Sequence, residues 1–331
     1  MQEQNRWFWG VAVVAIAANL AGCSPSTKAT TQTTAIAKPK VVASYSVLCD
    51  LTEKIAQDTV DLNCLIDADE DPHTYQATPE DRKAIETAQL VLYGGYDFEP
   101  TIINLIKATN NSAPKIAVDE KAVPNPLIGE EHHHDSKEKQ TEAEKTPDPH
   151  VWHDAQNGIQ MVDTIRDQLI NITPANANLY TRNAQKLTDE LKQVDSWIKV
   201  QINTIPAQQR KLVTTHDALG YYAKAYGLTV EGTLQGFSSE EQPTAARVKE
   251  LVKEVKEARV PTIFAELTAN DRVINTVARE AKVKVSDRKL MADGLSEAGT
   301  PASTYIGMLT ANTCAIVDGL GGKCTPVNFT P

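Results

Sequence analysis

The strongest constraint on the fold is a long amphipathic stretch with short apolar strands and helical segments alternating on both sides of it. Between residues 175 and 202, large apolar residues recur mostly at three- and four-residue steps, which predicts one long helix. Alternating strands and helices on either side indicate α/β units. The sequence therefore predicts an α/β fold with two similar (β/α) lobes joined by one long rigid helix.

The boundaries follow from this alternation. Before the long helix, strands are predicted at 41–47, 60–66, 90–93 and 116–118, and helices at 51–57, 79–88 and 100–109. After it, strands are predicted at 211–214, 262–265 and 283–285, and helices at 218–226, 244–258, 271–281 and 305–320. The predicted domains are an N-terminal lobe at 41–173, a linking helix at 174–204 and a C-terminal lobe at 205–331.

The first 23 residues have the pattern of an export signal. Arg6 precedes an apolar run from Trp7 to Leu20, which is shorter than the roughly 20 residues of a membrane span. The run closes with Leu-Ala-Gly-Cys, which resembles a bacterial lipobox in which Cys23 is lipidated and becomes the mature N-terminus. An ordinary cleaved signal and a short anchor helix are the alternatives. The favoured interpretation is a lipoprotein anchored in the periplasm or at the cell surface, with residues 24–40 as a flexible tether.

Four cysteines remain in the exported part of the chain. An even number in an oxidising compartment indicates disulfides, and three connectivities are possible. A cysteine-based metal site is disfavoured because no Cys-x-x-Cys spacing occurs. The short separations favour the local pairs Cys49–Cys64 and Cys314–Cys324.

The overall charge restricts the kind of partner. A formal net charge of −10 argues against nucleic-acid binding, which needs a basic face, and is compatible with binding a cation. Residues 129–148 are rich in Glu, Lys, Gln and Thr and lack apolar periodicity, which predicts a mobile loop. This segment carries His132, His133 and His134.

Three other histidines stand in positions from which a loop can direct an imidazole into a cleft. His73 and His150 each end an Asp-Pro-His tripeptide, in which proline restricts its own backbone and that of the preceding residue. His216 follows the strand predicted at 211–214 and precedes a helix. In an open α/β sheet, ligands bind at the carboxyl ends of the strands.

Five short motifs extend this pattern and occur in order within residues 41–320. They are His73-Thr-Tyr-Gln-Ala-Thr-Pro-Glu-Asp, Tyr93-Gly94-Gly95 with Glu99 beyond, Asp148-Pro-His-Val-Trp, His216-Asp-Ala-Leu-Gly-Tyr-Tyr and Asp293-Gly-Leu-Ser. Together they resemble the zinc- and manganese-binding solute-binding proteins of ABC transporters. The resemblance covers nearly the whole mature chain.

This resemblance implies a metal site in the cleft between the lobes, with two ligands from each lobe. His73 and His150 match the ligands of the first lobe, and His216 and Asp293 match those of the second. In this family the third position is commonly Glu in manganese members and His in zinc members, so His216 favours zinc. Three neutral imidazoles and one carboxylate also suit Zn²⁺, whereas Mn²⁺ prefers more oxygen, and manganese is the alternative cargo.

Several neighbouring residues are rivals or helpers for these ligands. Asp287 is the alternative to Asp293, and Glu266, which follows the strand predicted at 262–265, is a further carboxylate that could enter the metal shell. His153 is interpreted as a residue that supports the site from behind or as an exposed one. The triplet His132, His133 and His134 either gathers ions weakly at the mouth of the cleft or belongs to a solvated linker.

The predicted function is capture of Zn²⁺ outside the cytoplasmic membrane and delivery to the permease of an ABC transporter, by a monomer that is not an enzyme. A zinc hydrolase is disfavoured because no His-Glu-x-x-His occurs and four protein ligands would close a tetrahedral shell, which leaves no position for a catalytic water. An adhesin or a metal buffer is the remaining alternative.

Overall fold

The computed structural model describes residues 37–130, 145–240, 242–325 and residue 327. Within these ranges, no helix is both long and apolar enough to cross a membrane. Cys23 and its apolar run, residues 24–36 of the tether, and the three histidines at 132–134 lie outside the described residues.

The first lobe contains alternating strands and helices. Its elements are β1 (Lys40–Ala43), α1 (Ser46–Ala56), β2 (Asp61–Cys64), α2 (Pro79–Thr87), β3 (Leu90–Tyr93), α3 (Pro100–Ala108), β4 (Lys115–Ala117), α4 (Val118–Ala122), β5 (Ile128–Glu130), β6 (Lys145–Pro147) and α5 (Ala155–Ile172). Strands β2, β1, β3 and β4 form a parallel sheet in that order, and β5 pairs with β6 in antiparallel fashion. Turns therefore gather at the carboxyl edge of this sheet.

The second lobe repeats this plan. It contains β7 (Lys211–Thr214), α7 (Gly220–Tyr226), β8 (Thr229–Thr233), α8 (Ala245–Ala258), β9 (Thr262–Ile263), α9 (Arg272–Ala281), β10 (Lys284–Val285) and α10 (Tyr305–Gly319). The pairs β7–β8 and β9–β10 are parallel, and Phe264 N–H donates to the carbonyl of Val213 at 2.9 Å, which links the two pairs. The order β8, β7, β9, β10 thus matches the order of the first sheet, and the predicted α/β class is confirmed.

Helix α6 (Ala177–Ile202) is the long helix that connects the lobes. Its 26 residues give it a length of about 39 Å. One face is buried against α1 and α5 of the first lobe and α10 of the second. Leu191, Val194 and Ile198 of this face are fully buried, so the helix is part of the core that both lobes share.

The predicted first strand proves to be two elements. Strand β1 ends at Ala43, and α1 begins at Ser46, so the apolar run predicted as one strand at 41–47 contains a strand and the first turn of a helix. Val47, Leu48, Leu51 and Ile55 are fully buried at helical spacing. The burial of Val47 on a helix face explains why apolar residues continue beyond the end of the strand.

Other differences concern elements that the pattern did not predict. Helix α5, strand β8 and the β5–β6 pair are absent from the predicted set, and the long helix begins at Ala177 after a 3₁₀ turn at Pro174–Asn176. The ends of the segment predicted as a loop at 129–148 are paired, because β5 and β6 lie there.

Candidate metal centre

The four predicted ligands come from four separate turns. His73 lies between β2 and α2, and His150 precedes a 3₁₀ turn at Val151–His153. His216 follows β7 by two residues, and Asp293 lies between β10 and α10. Two of the side chains therefore come from the first lobe and two from the second.

These four side chains meet in one buried cluster. One nitrogen or oxygen atom from each lies within 4.8 Å of the other three, and all four residues are at most 5 % exposed. The Nε2 atom of His150 is 3.3 Å from Nε2 of His73 and 3.3 Å from Nε2 of His216. Asp293 Oδ1 lies 3.5, 3.4 and 3.0 Å from Nε2 of His73, His150 and His216.

These separations fit a four-coordinate ion. Ligand atoms at Zn²⁺ distances of about 2.0–2.1 Å from the centre of a tetrahedron are about 3.3–3.4 Å apart. Asp293 Oδ1 is buried, and no hydrogen bond of acceptable angle reaches it within the described residues. A buried carboxylate oxygen without a hydrogen-bond donor needs another positive partner, and a cation at the centre of the cluster meets that need.

Both Asp-Pro-His tripeptides form the same local turn. The backbone N–H of His73 donates to Asp71 Oδ1 at 3.0 Å, and that of His150 donates to Asp148 Oδ1 at 2.9 Å. An aspartate that accepts from the N–H two residues later is the Asx turn that this residue favours. After His73, α2 begins with a capping box between Thr78 and Asp81.

Two carboxylates hold two of the imidazoles from behind. Asp148 Oδ1 is 2.8 Å from His150 Nδ1, and Glu266 Oε2 is 2.5 Å from His216 Nδ1. Glu266 Oε1 also accepts hydrogen bonds from the backbone N–H groups of Thr215 and His216. A carboxylate on Nδ1 fixes the proton there and leaves Nε2 free to bind a metal.

The segment that carries Asp293 is held by residues from three other elements. Asn312 of α10 bonds both the N–H and the carbonyl of Met291, at 2.9 and 2.8 Å. His153 Nε2 donates to the carbonyl of Ala292 at 2.8 Å, and Ser46 Oγ accepts from the N–H of Leu295 at 2.9 Å. Asp293 is therefore positioned by the residues on both sides of it.

Burial and charge act against each other in this cluster. Burial raises the pKa of the Asp293 carboxyl, but the charge of His216 and the contacts with His150 and His73 outweigh burial and hold this pKa well below its ordinary value. For His73, burial lowers the pKa of the imidazole. The cluster thus contains an anionic carboxylate, which is the form that a cation needs.

Aromatic rings enclose the two first-lobe histidines of the cluster. The ring of Phe98 lies 5.0 Å from that of His73 and 5.7 Å from that of His150, and Trp152 lies 5.5 Å from His150. Phe98 and Trp152 are fully buried. These rings exclude water from one side of the cluster, which strengthens electrostatic interactions within it.

The other predicted residues fall in different places. His153 is fully buried, and burial, followed by the charge of His150, lowers its pKa to about 3, so it is a neutral donor to Ala292. Asp287 is exposed and does not belong to the cluster, and Glu266 lies behind His216. Sequence reasoning missed the roles of Phe98 and Asn312, because only the fold brings them to the site.

The described residues contain two disulfides. Cys49 is joined to Cys64 with their Cα atoms 5.9 Å apart, and Cys314 is joined to Cys324 with theirs 5.1 Å apart. Among the three possible connectivities, the structure has the two local pairs.

Comparison with known proteins identifies the family. Residues 41–319 match the ZnuA family model, which is described as the periplasmic component A of the zinc-uptake complex. The chain belongs to the ZnuA family. This chain is also 32 % identical over 290 residues to the manganese ABC transporter substrate-binding lipoprotein PsaA of Streptococcus mitis, covering 86 % of this chain and 89 % of that one. It is 29 % identical over 282 residues to the manganese-binding lipoprotein MntA of Halalkalibacterium halodurans, covering 85 % and 88 %.

Solved structures support the same assignment to the ZnuA family. The periplasmic zinc-binding protein TroA of Treponema pallidum superimposes with a TM-score of 0.77 at 30 % identity, covering 86 % of this chain and 99 % of that one. A manganese-bound mutant of a periplasmic metal-binding protein from Candidatus Liberibacter asiaticus gives a TM-score of 0.74 at 28 % identity, covering 86 % and 100 %. These comparisons confirm the predicted family resemblance and the two-lobe fold with a connecting helix. They also confirm that the chain is a metal ABC transporter substrate-binding protein.

Membership of the ZnuA family also bears on location and partners. The matched relatives carry the names of lipoproteins and periplasmic proteins, which confirms the predicted extracytoplasmic location. Proteins of this class are solute-binding components and not enzymes, and they work with a membrane permease.

Proposed function

We propose that this protein captures Zn²⁺ as its cargo through His73, His150, His216 and Asp293 and delivers it to the permease of an ABC transporter. The observation that carries the proposal is the cluster of three Nε2 atoms and one Oδ1 atom, with separations of 3.0–3.5 Å in five measured pairs. Tetrahedral sets of imidazole and carboxylate ligands are typical of zinc.

Three features of the cluster favour zinc over manganese. Three of the four ligand atoms are nitrogens, whereas Mn²⁺ prefers oxygen-rich sites with more ligands. The third ligand is His216, the type that the resemblance associates with zinc members. Finally, the carboxylates of Glu266 and Asp148 lie against Nδ1 of His216 and His150, which makes both imidazoles stronger nitrogen ligands and so favours the ion that prefers nitrogen.

Manganese is the second candidate, because relatives of this chain at 29–32 % identity are named for manganese. The Irving–Williams order places Zn²⁺ above Mn²⁺ at almost any such site, so affinity in vitro cannot identify the cargo. The decisive experiment is elemental analysis of protein purified from its own host under metal-replete conditions. Predominant zinc supports the proposal, and predominant manganese would overturn it.

Two variants connect the measured metal to the proposed ligands. His216→Glu replaces a nitrogen ligand with oxygen, so we expect the ratio of Mn²⁺ to Zn²⁺ affinity to rise. Asp293→Asn weakens the binding of both ions because the site loses its one anionic ligand. If both variants bound Zn²⁺ as the parent protein does, the ion would lie elsewhere and the proposed site would be wrong.

Further proposals concern the oligomeric state and segments that lie mostly outside the described residues. Cys23 carries the lipid anchor, residues 24–39 form a tether that ends where β1 begins at Lys40, and the protein acts as a monomer. His132, His133 and His134 collect ions weakly near the cleft. Replacing all three with alanine should leave the equilibrium affinity unchanged and slow metal capture from dilute solution, as measured by stopped-flow mixing with a zinc indicator.

A further inference from the structure

The two carboxylate oxygens of Asp293 have different partners. Oδ1 is the atom within 3.0–3.5 Å of the three histidine Nε2 atoms. Oδ2 accepts a hydrogen bond from Thr268 Oγ1 at 3.0 Å. Among the described residues, Thr268 supplies the hydrogen bond that reaches Oδ2. The carboxylate is therefore held with one oxygen towards the metal centre and the other towards a hydroxyl group.

The different partners of Oδ1 and Oδ2 affect the coordination number of a bound ion. A carboxylate that binds through one oxygen completes a set of four ligands with the three imidazoles, whereas one that binds through both oxygens makes a set of five. Zn²⁺ is almost always four-coordinate and tetrahedral in closed protein sites. Mn²⁺ prefers more oxygen ligands and octahedral geometry. The hydrogen-bonding state of Oδ2 thus discriminates between the two ions.

The position of Thr268 is fixed by the second sheet. The neighbouring N–H of Leu267 donates to the carbonyl of Leu290 at 2.9 Å, and Glu266 pairs with Leu290 in a parallel bridge. This pairing places Thr268 beside the Asp293 segment, which Asn312 and His153 hold from the other side. Because both partners are anchored, the hydrogen bond resists rotation of the carboxylate.

We propose that Thr268 is a positioning residue that determines metal selectivity by keeping Asp293 bound through Oδ1 alone. This inference rests on the proposed function, since it concerns the ion in the same site. Without the hydroxyl, Oδ2 would be a buried oxygen lacking its donor, a condition that costs free energy unless another partner is found. A metal ion in the cluster is the nearest such partner, so the carboxylate would turn to bind through both oxygens.

The test uses Thr268→Val, which removes the hydroxyl and keeps the branched shape. Thr268 is half-buried and lines an open cavity with Thr215 and Asn270, so its replacement does not disturb the hydrophobic core. The parent protein and the variant are loaded with Zn²⁺ or Mn²⁺, and ligands are counted by X-ray absorption at each metal edge. Affinities for both ions are measured by competition with a chelator.

We expect four ligands around zinc in the parent protein and five in Thr268→Val. The ratio of Zn²⁺ to Mn²⁺ affinity should fall by about tenfold in the variant, taking as a guide the roughly 10- to 100-fold losses of metal affinity that follow removal of a residue that orients a ligand. Thr268→Ser retains the hydroxyl and should restore the coordination number and the ratio of the parent. Thr164→Val removes a hydroxyl that bonds the carbonyl of Gln160 within its own helix, and it should change neither quantity.

The outcomes separate this inference from the proposed function. If the parent protein bound neither ion at the four-ligand cluster, the proposed function would fail. If the parent bound zinc with four ligands and Thr268→Val kept the same number and the same affinity ratio, the role of Thr268 would be refuted. The role would also be refuted if Thr268→Ser behaved like Thr268→Val, or if Thr268→Val kept its melting transition but lost all binding.

Discussion

Glu266 lies directly behind His216, with its Oε2 atom 2.5 Å from the imidazole Nδ1 and its Oε1 atom bonded to two backbone N–H groups. The carboxylate is fully buried together with the histidine. This arrangement fixes both the proton and the ring of His216, so that Nε2 is directed to the centre of the cluster.

Replacing Glu266 with Gln should weaken metal binding without removing a ligand. The amide oxygen can still accept hydrogen bonds, but the negative charge that makes His216 a better donor is lost. We expect the affinity for Zn²⁺ to fall about 10- to 100-fold, measured by competition with a chelator. Glu257→Gln is the control, because its side chain is 68 % exposed in a surface ion pair. Equal affinities in the two variants would show that Glu266 does not tune the site.

Metal binding should stabilise the fold through the four clustered side chains. At a free Zn²⁺ concentration of about 100 times the dissociation constant, the free energy of unfolding should rise by about 2.7 kcal/mol. His150→Ala should abolish this rise, as measured by chemical denaturation with and without zinc. Asp287→Asn should retain it, since Asp287 is exposed and outside the cluster. The choice of Asp293 over Asp287 would be reversed if zinc still raised the free energy of unfolding of Asp293→Asn but no longer raised that of Asp287→Asn.

Two buried carboxyl groups of the first lobe should make stability depend on pH. Glu99 and Asp119 are fully buried, and a Cβ atom placed on Gly94 would lie 2.9 Å from an oxygen of each. Burial raises the pKa of Glu99 to about 7 despite hydrogen bonds from Ser44 and Gly94. Burial and the charge of Glu99 also raise the pKa of Asp119, whose hydrogen bond from Tyr45 opposes the shift.

The sign of this effect follows from proton uptake. The folded protein keeps a proton on Glu99 up to about pH 7, whereas the unfolded chain loses it near the ordinary value of 4.5. The stabilisation is therefore complete below about pH 4.5 and is lost as the pH rises to about 7.

Glu99→Gln should remove the part of this dependence that comes from Glu99, because an amide stays neutral across this pH range. We expect the free energy of unfolding of the parent to fall by about 2–3 kcal/mol relative to Glu99→Gln across this pH range. Urea denaturation at a series of pH values measures it, with the exposed Glu53→Gln as the control. The prediction would be contradicted if the free energy of unfolding changed with pH in the same way in the parent and in Glu99→Gln.

His153 should contribute to stability and not to metal ligation. Its Nε2 donates to the buried carbonyl of Ala292, and His153→Leu leaves that carbonyl without a donor. We expect a loss of about 1–3 kcal/mol in the free energy of unfolding. Zinc bound by the folded variant should remain at one ion per chain, as elemental analysis can determine. Loss of that ion would instead make His153 a ligand.

The parts of the site that could be predicted from sequence are those that depend on local chemistry. Each Asp-Pro-His tripeptide makes its own Asx turn, so His73 and His150 could be recognised without knowing the fold. His216 was marked by the end of a short apolar strand. Glu266 was predicted only as a further carboxylate that could enter the metal shell, because its bond to His216 arises when β7 and β9 come together across 50 residues of chain.

The missed elements of the fold have separate causes. Helix α5 does carry a signal, since Ile159, Val162, Ile165 and Leu169 are buried at helical spacing. Strand β8 has only partly buried or exposed residues, contains Gly232 and shifts its register against β7, so its pattern is weak. The contact of Thr268 with Asp293 joins two loops and leaves no periodic trace in the sequence.

The two disulfides and the metal cluster restrain the chain over different distances. The disulfides close loops of 15 and 10 residues, one on each side of α6 along the chain. A metal ion bound at the proposed site, by His73 and Asp293, would link segments near opposite ends of the described chain. Such an ion would be a reversible cross-link of long reach, and its capture and release would close and open a loop of the polypeptide that contains the whole of α6.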